Sequence, residues 1–323
     1  MKVFEKVSKA KPEAVDARKA KGGIEKAVPL KGGSKVVEKA PLKAKKEEKK
    51  PVVRQSIPPR RPLPPAPEIP KPKSFEERSR LVEERLAKAD PAFVAELRQN
   101  LELSWVYHDS VLEGTVYTSE ELRTAFDPSN TNIDSSMQPA CEDIRRHLQT
   151  LNFMRQCVSD KTPITVDLIR EFYTLLHPEE GDAKNVRYRK DIPQHRLYVH
   201  EYCAPEKIPT KIRQLVDWIN DPETQKSKPA IRIASKAHYD LLRIFPFTHD
   251  SGKVARFLLN MMLMRGNLPP TIIHATERQR YYDALKGSSS TILTIVSDGI
   301  HNRLTSIEKL LDTAEQKVRV VTL

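Results

Sequence analysis

The sequence predicts a mainly α-helical domain carrying one small β-hairpin and preceded by a basic, proline-rich tail. Three observations predict it. The run from Val254 to Met264 is rich in helix formers and apolar almost all round, as a buried central helix is. The stretch Asn185–His200 is rich in Val, Tyr and Leu and is broken by Pro193-Gln194-His195, which reads as two short strands and a turn. Residues through Phe75 hold 21 Lys and Arg against 8 Asp and Glu, a net +13 that exceeds the whole chain's +12 and leaves −1 for the remainder. The expected organisation is a tail over 1–75, N-terminal helices over 76–135, and a core with C-terminal helices over 136–323.

The tail is Lys/Ala/Glu-rich through Lys50 and has nine prolines between Pro51 and Pro72. Such a composition buries too little apolar surface to offset its ordering entropy, so the expectation is a disordered tail with an extended polyproline spacer. Its charge suits nucleic acid or an acidic partner held without sequence preference. Pro62-Leu63-Pro64-Pro65 beside Arg60-Arg61 has the spacing of an SH3 ligand. No stretch is long and apolar enough to span a membrane, and the first residues lack the hydrophobic core of a secretory signal. Cys141, Cys157 and Cys203 are odd in number and lack paired metal spacing, which points to reduced thiols and a cytoplasmic protein.

Leu97, Leu101, Trp105, Val106, Val111 and Leu112 predict an amphipathic helix that ends near Gly114, and Thr118-Ser119-Glu120-Glu121 is a capping box for the next one. This places Glu113 at a helix end, where the dipole disfavours a lone carboxylate and a cationic partner is expected. Further on, a loop runs over Phe245–Gly252, and His238 before it reads as a packed core histidine. The loop hands over to the apolar helix at Asp250-Ser251-Gly252, and Gly266-Asn267 followed by Pro269-Pro270 ends it with a left-handed cap.

Unpaired N–H groups at a helix start, together with Gly252 and Lys253, suit a phosphate cradle, and an ordinary capped core helix is the alternative reading of the same residues. The triplet Ser251-Gly252-Lys253 is no P-loop, because the first glycine of that motif falls on Phe247 and neither Ser nor Thr follows Lys253. Lys253, Arg256 and Asn260 recur at spacings of three and four and form one polar stripe on the apolar helix. A buried arginine there requires an acid elsewhere in the chain.

Phe245-Pro246-Phe247-Thr248-His249-Asp250-Ser251-Gly252-Lys253-Val254-Ala255-Arg256 resembles the signature loop of the Fic (Fido) family, His-Pro-Phe-x-Asp-Gly-Asn-Gly-Arg-x-x-Arg. Five of the nine specified positions differ. Glu113-Gly114 in Ser110-Val111-Leu112-Glu113-Gly114 is similar to the Glu-Gly/Asn end of that family's inhibitory pattern, Ser/Thr-x-x-x-Glu-Gly/Asn, with Ser110 one residue closer to the glutamate than the pattern has it, and Arg278–Leu285 is similar to its Arg-x-x-Tyr-Tyr-x-Ala-Leu segment. The resemblance runs from about Glu102 to about Ile307. It implies a Fic-type helical bundle with a β-hairpin flap over 185–200 that holds a target protein, and AMP transfer from ATP to a protein hydroxyl. It implies ATP and Mg²⁺ as cofactors. Ser251, Gly252, Lys253, Arg256, Tyr281 and Tyr282 are then the nucleotide-binding residues, with the tyrosines near the adenine. Ser110, Glu113 and Gly114 are the inhibitory set, Glu113 pairing with Arg256. A homo-oligomer is left open.

The departures carry as much information as the matches. The family's catalytic histidine is Phe245, which cannot accept a proton, a loss worth ~10²–10⁴-fold in rate. The magnesium position is His249, and Asp250, in a glycine slot, can supply an oxygen from one residue away or act as an ordinary N-cap. The expectation is a catalytically impaired relative of the protein AMPylases that retains nucleotide binding in a regulatory, pseudoenzyme role. An active transferase held off by Glu113, and a scaffold tethered through the basic tail, are the alternatives.

Overall fold

The computed structural model describes residues 73–127, 129–130, 133–193 and 201–321, with side chains through Gln316. They lie in one unit, Glu68–Leu323. Almost all of the tail, and Gln194–His200 of the expected hairpin, fall outside the described residues.

Eleven α-helices form among the described residues: α1 (Phe75–Leu86), α2 (Pro91–Glu113), α3 (Ser119–Phe126), α4 (Gln138–Ser159), α5 (Val166–Leu176), α6 (Ile208–Asn220), α7 (Pro222–Ser227), α8 (Ala230–Ile244), α9 (Ser251–Arg265), α10 (Arg278–Lys286) and α11 (Ser289–Val321). Local signals set their ends. Asp90 caps α2 by accepting from the Ala92 N–H, with Pro91 at the first position, where its missing N–H costs nothing. Thr118 and Glu121 form the reciprocal capping box of α3.

Helix α9 is the centre of the bundle. Every residue from Ser251 to Leu263 is buried, and α8, α4, α5 and α2 pack around it. Such a helix has no solvent face, which is why its sequence shows a narrow polar stripe rather than an amphipathic half. Each stripe residue is paired. Asn260 donates to the Thr271 carbonyl (3.1 Å) and accepts from the Thr271 N–H (2.8 Å). Lys253 and Arg256 meet carboxylates, described below. The end of α9 differs in one detail from expectation. The left-handed residue is Asn267 (φ 56°), whose successor Leu268 bonds back to the Leu263 carbonyl (3.0 Å). Gly266 has φ −84° and is small because a β-carbon there would run into that of Ala230.

The expected β-hairpin is a correction: no strand occurs among the described residues, and 185–193 is turn and irregular chain. The main chain there is used to support the signature loop instead of a ladder. The Arg189 N–H donates to the Pro246 carbonyl (2.9 Å), and the buried Arg189 guanidinium donates to the carbonyls of Phe245 (2.6 Å), Ile244 (3.1 Å), Cys203 (2.5 Å) and Asp191 (2.8 Å). Two of these are at the end of α8, whose unpaired carbonyls and dipole attract a cation. Burial pulls the Arg189 pKa down from its ordinary value.

Candidate functional site

The site is built at the N-terminus of α9, where the loop after α8 turns back. Phe245 caps α8 in the left-handed region (φ 46°), its N–H bonded to the Leu241 carbonyl (2.8 Å). Its ring is buried and meets Tyr202 edge-on at 5.2 Å between centroids. Phe247 is fully buried and stacks on Tyr173 (4.2 Å, 7°). Ser251 is also buried; its hydroxyl accepts from the Phe247 N–H (2.9 Å) and donates to the Phe247 carbonyl (3.0 Å), closing the loop on itself.

Asp250 holds the N-cap position of α9, its carbonyl accepting from the Val254 N–H (3.0 Å), but its side chain does not cap the helix. It sits at φ 48°, a conformation that Asp tolerates better than most residues, and makes no side-chain cap hydrogen bond. Its carboxylate instead meets His177 Nε2 (2.9 Å) and accepts from Lys253 Nζ (3.3 Å). His177, at the end of α5, meets Glu179 with its other nitrogen (3.0 Å). With a carboxylate on each ring nitrogen, both nitrogens donate in the imidazolium form. Burial alone would lower the His177 pKa, but its hydrogen bonds to Asp250 and Glu179 outweigh it and raise it. Burial likewise works against ionised Asp250, and His177 and Lys253 overcome it, holding that carboxyl well below the usual range. Lys253 is 3% exposed and is held charged against burial by Asp250, Asp143, Asp109 and Glu113. His249 is exposed, its ring 6.1 Å from that of His177.

Glu113 reaches this site from α2. That helix ends in a left-handed Gly114 (φ 100°), with the Thr115 N–H on the Ser110 carbonyl (2.9 Å) and the Gly114 N–H on the Val111 carbonyl (3.1 Å). The cap fixes Glu113 as the last helical residue and aims it across to α9. Its Oε1 accepts from Arg256 Nη2 at 2.7 Å. It also lies directly over Gly252: a β-carbon there would be 2.9 Å from Glu113 Cδ, 3.0 Å from Arg256 Nη1, and closer still to Glu113 Oε1. The carboxylate therefore rests on the start of α9, the place the helix dipole reserves for an anion.

Arg256 has a second carboxylate. Asp109, one turn before Glu113 on the same face of α2, accepts from Arg256 Nε through Oδ1, and its carbonyl lies 3.3 Å from Nη2. Asp109 is 3% exposed; burial pushes its pKa up to about 6 against the pull of Arg256. His147 from α4 comes within 3.3 Å of its other oxygen and is kept neutral by burial and by Lys253.

Tyr281 and Tyr282 are buried in the bundle. The Tyr281 hydroxyl meets His238 Nε2 (2.9 Å), whose Nδ1 meets the Ala255 carbonyl (3.0 Å), and Tyr282 donates to the Leu112 carbonyl at the end of α2. Both therefore brace the helices that carry the site. Sequence reasoning brought Glu113 to Arg256 but missed Asp109, His177 and Arg189 as parts of the same assembly. For Asp109 a signal existed, an acid one turn from Glu113 on the apolar face of the same helix. For His177 and Arg189 no local pattern marks them.

Residues 163–263, from just before α5 to the last turns of α9, match the family model described as Fic/DOC family. This part of the chain is similar to a Fic domain. Relatives include the protein adenylyltransferase fic-1 of Caenorhabditis briggsae, 31% identical over 191 residues that cover 56% of this chain and 35% of that protein. A protein adenylyltransferase Fic of Nematostella vectensis is 28% identical, over 56% of this chain and 42% of its own length. The chain thus spans about two fifths or less of the length of these curated relatives. Among solved structures, a Fic-domain-containing signaling protein from Bacteroides thetaiotaomicron aligns with a TM-score of 0.61 and 23% identity, over 75% of this chain and 98% of that one. Fic-1 from Caenorhabditis elegans aligns with a TM-score of 0.58 and 24% identity, over 74% and 73% respectively. These likenesses show a shared fold.

Proposed function

We propose that this Fic domain is a nucleotide-binding relative of the protein adenylyltransferases whose AMP-transfer step is impaired and whose phosphate cradle is closed by Glu113. The observation that carries the reading is the Glu113 carboxylate, seated on Gly252 and bonded to Arg256 (2.7 Å) at the start of α9. A carboxylate held by a helix start and a guanidinium occupies the position that suits a phosphate oxygen. The cradle residues therefore fit a nucleotide once that side chain withdraws.

The transfer step would require a base beside the attacking hydroxyl, and Phe245 offers only a buried hydrocarbon ring there. The residues at the magnesium position do not fit that ion as they stand. His249 presents an exposed imidazole, Asp250 is tied to His177 and Lys253, and among the described residues no group of three His, Cys, Asp or Glu side chains is placed to hold a metal.

The test is calorimetric titration of ATP, with and without Mg²⁺, into the full chain and its Glu113→Gly variant, alongside transfer of α-labelled ATP to protein. Binding that appears or tightens in the variant without label transfer is the expected result. Label transfer by the variant would replace this reading with an active enzyme held off by Glu113. No binding in either protein would overturn the nucleotide reading.

A further inference from the structure

Removing Glu113 does not by itself free Arg256. A guanidinium grips a phosphate most strongly through two parallel N–H groups on one edge. On Arg256 the edge formed by Nε and Nη2 is turned to α2. Asp109 Oδ1 holds Nε, the Asp109 carbonyl is 3.3 Å from Nη2, and Glu113 shares Nη2. With Glu113 gone, the first two contacts remain, one on the main-chain carbonyl of Asp109 and one on its carboxylate, which is 3% exposed and cannot exchange its partner for water.

We infer that Asp109 is a second clamp on Arg256, independent of Glu113, and that an anionic ligand gains the full grip of this guanidinium only when both carboxylates let go. The inference rests on the nucleotide-binding reading above and adds a positioning residue to it. It also assigns unequal roles to the two acids. Glu113 blocks the cradle by occupying the space over Gly252, whereas Asp109 lies one turn away and acts only through Arg256.

The charges around Asp109 allow it to release. It faces Arg256 and Lys253 from α9, His147 from α4 and Glu113 on its own helix. His147 is neutral, so it adds no positive charge to hold the carboxylate ionised. With its pKa raised to about 6, Asp109 takes up a proton on mild acidification, and a neutral carboxyl grips the guanidinium far less.

The experiment is titration of adenosine 5′-phosphosulfate, an analogue of ADP whose own charge is constant from pH 5.5 to 7.5, into four full-length proteins: the native chain, Glu113→Gly, Asp109→Asn and the double variant. Near-UV dichroism and cooperative melting establish that each is folded, and Asp109→Ala replaces Asp109→Asn if the latter is not. The expected order at pH 7.5 is no gain from the Asp109 change alone, binding in Glu113→Gly, and binding about tenfold or more tighter in the double variant. Glu113→Gly is expected to tighten as pH falls to 5.5 more than the double variant does, because only the former retains the titrating clamp. Equal affinity and equal pH profiles of the single and double variants would overturn the second clamp while leaving the nucleotide reading intact. Weaker binding by the double variant would also overturn it, by showing that Asp109 presents Arg256 to the ligand. No binding by any folded protein would remove both readings.

Discussion

Glu113 and Gly252 share one volume. The carboxylate at the end of α2 lies so close to the first turn of α9 that a β-carbon on Gly252 would overlap it. Gly252 is therefore required by close approach, since its conformation is ordinary helix. Gly252→Ala is expected to cost about 1–3 kcal/mol, the usual penalty of overpacking. Combining it with Glu113→Gly should recover most of that loss, and chemical denaturation of the three variants checks it. A Gly252→Ala penalty unchanged by the Glu113 substitution would place the strain elsewhere.

The His177–Asp250 pair gives a pH signature with a defined sign. The raised pKa of His177 means its contribution is fully present below its ordinary 6.5 and is lost as pH rises through the folded value. The depressed pKa of Asp250 means its contribution is present above the ordinary 3.8 and is lost as pH falls through the folded value. The stability difference between the native chain and His177→Ala should therefore be greatest between about pH 4 and 6.5 and shrink on the alkaline side. Denaturation midpoints measured across pH 4–9 provide the check, and a difference that grows with pH would contradict the pairing.

Phe245 occupies a left-handed cap in which histidine is better tolerated than most residues. Phe245→His is thus compatible with the backbone, and in a Glu113→Gly background it should raise label transfer from α-labelled ATP by about 10²–10⁴-fold, the worth of a general base. Unchanged transfer would mean that the altered positions at His249 and Asp250, rather than Phe245, limit the chemistry.

The tail, with its net charge of +13 through Phe75, is expected to bind polyanions weakly and with steep salt dependence. Replacing its lysines with glutamine should abolish retention on heparin at 50 mM salt and leave the ligand affinity of the domain unchanged. Retention that persists after replacement would assign the polyanion contact to the folded unit.

The sequence by itself determined the elements that rest on local chemistry: the buried helix with its polar stripe, the capping box at Thr118, the end of α2 at Gly114, and the requirement that Arg256 find an acid. It also carried the resemblance that brought Glu113 to that arginine. Each of these follows from spacing along one helix or from a few contiguous residues, which is what a linear pattern can express. Only the tertiary structure decided the rest. It turned 185–193, the described part of the hairpin expected over 185–200, into a strut for the end of α8, because one buried Arg189 satisfies four carbonyls drawn from three segments of the chain. It drew the Asp250 side chain away from capping its helix, because His177 lies 73 residues away in sequence and within hydrogen-bond reach in space. It also set Asp109 beside Glu113 on one guanidinium. These are long-range electrostatic choices, made where burial leaves each charge only the partners that the fold brings to it.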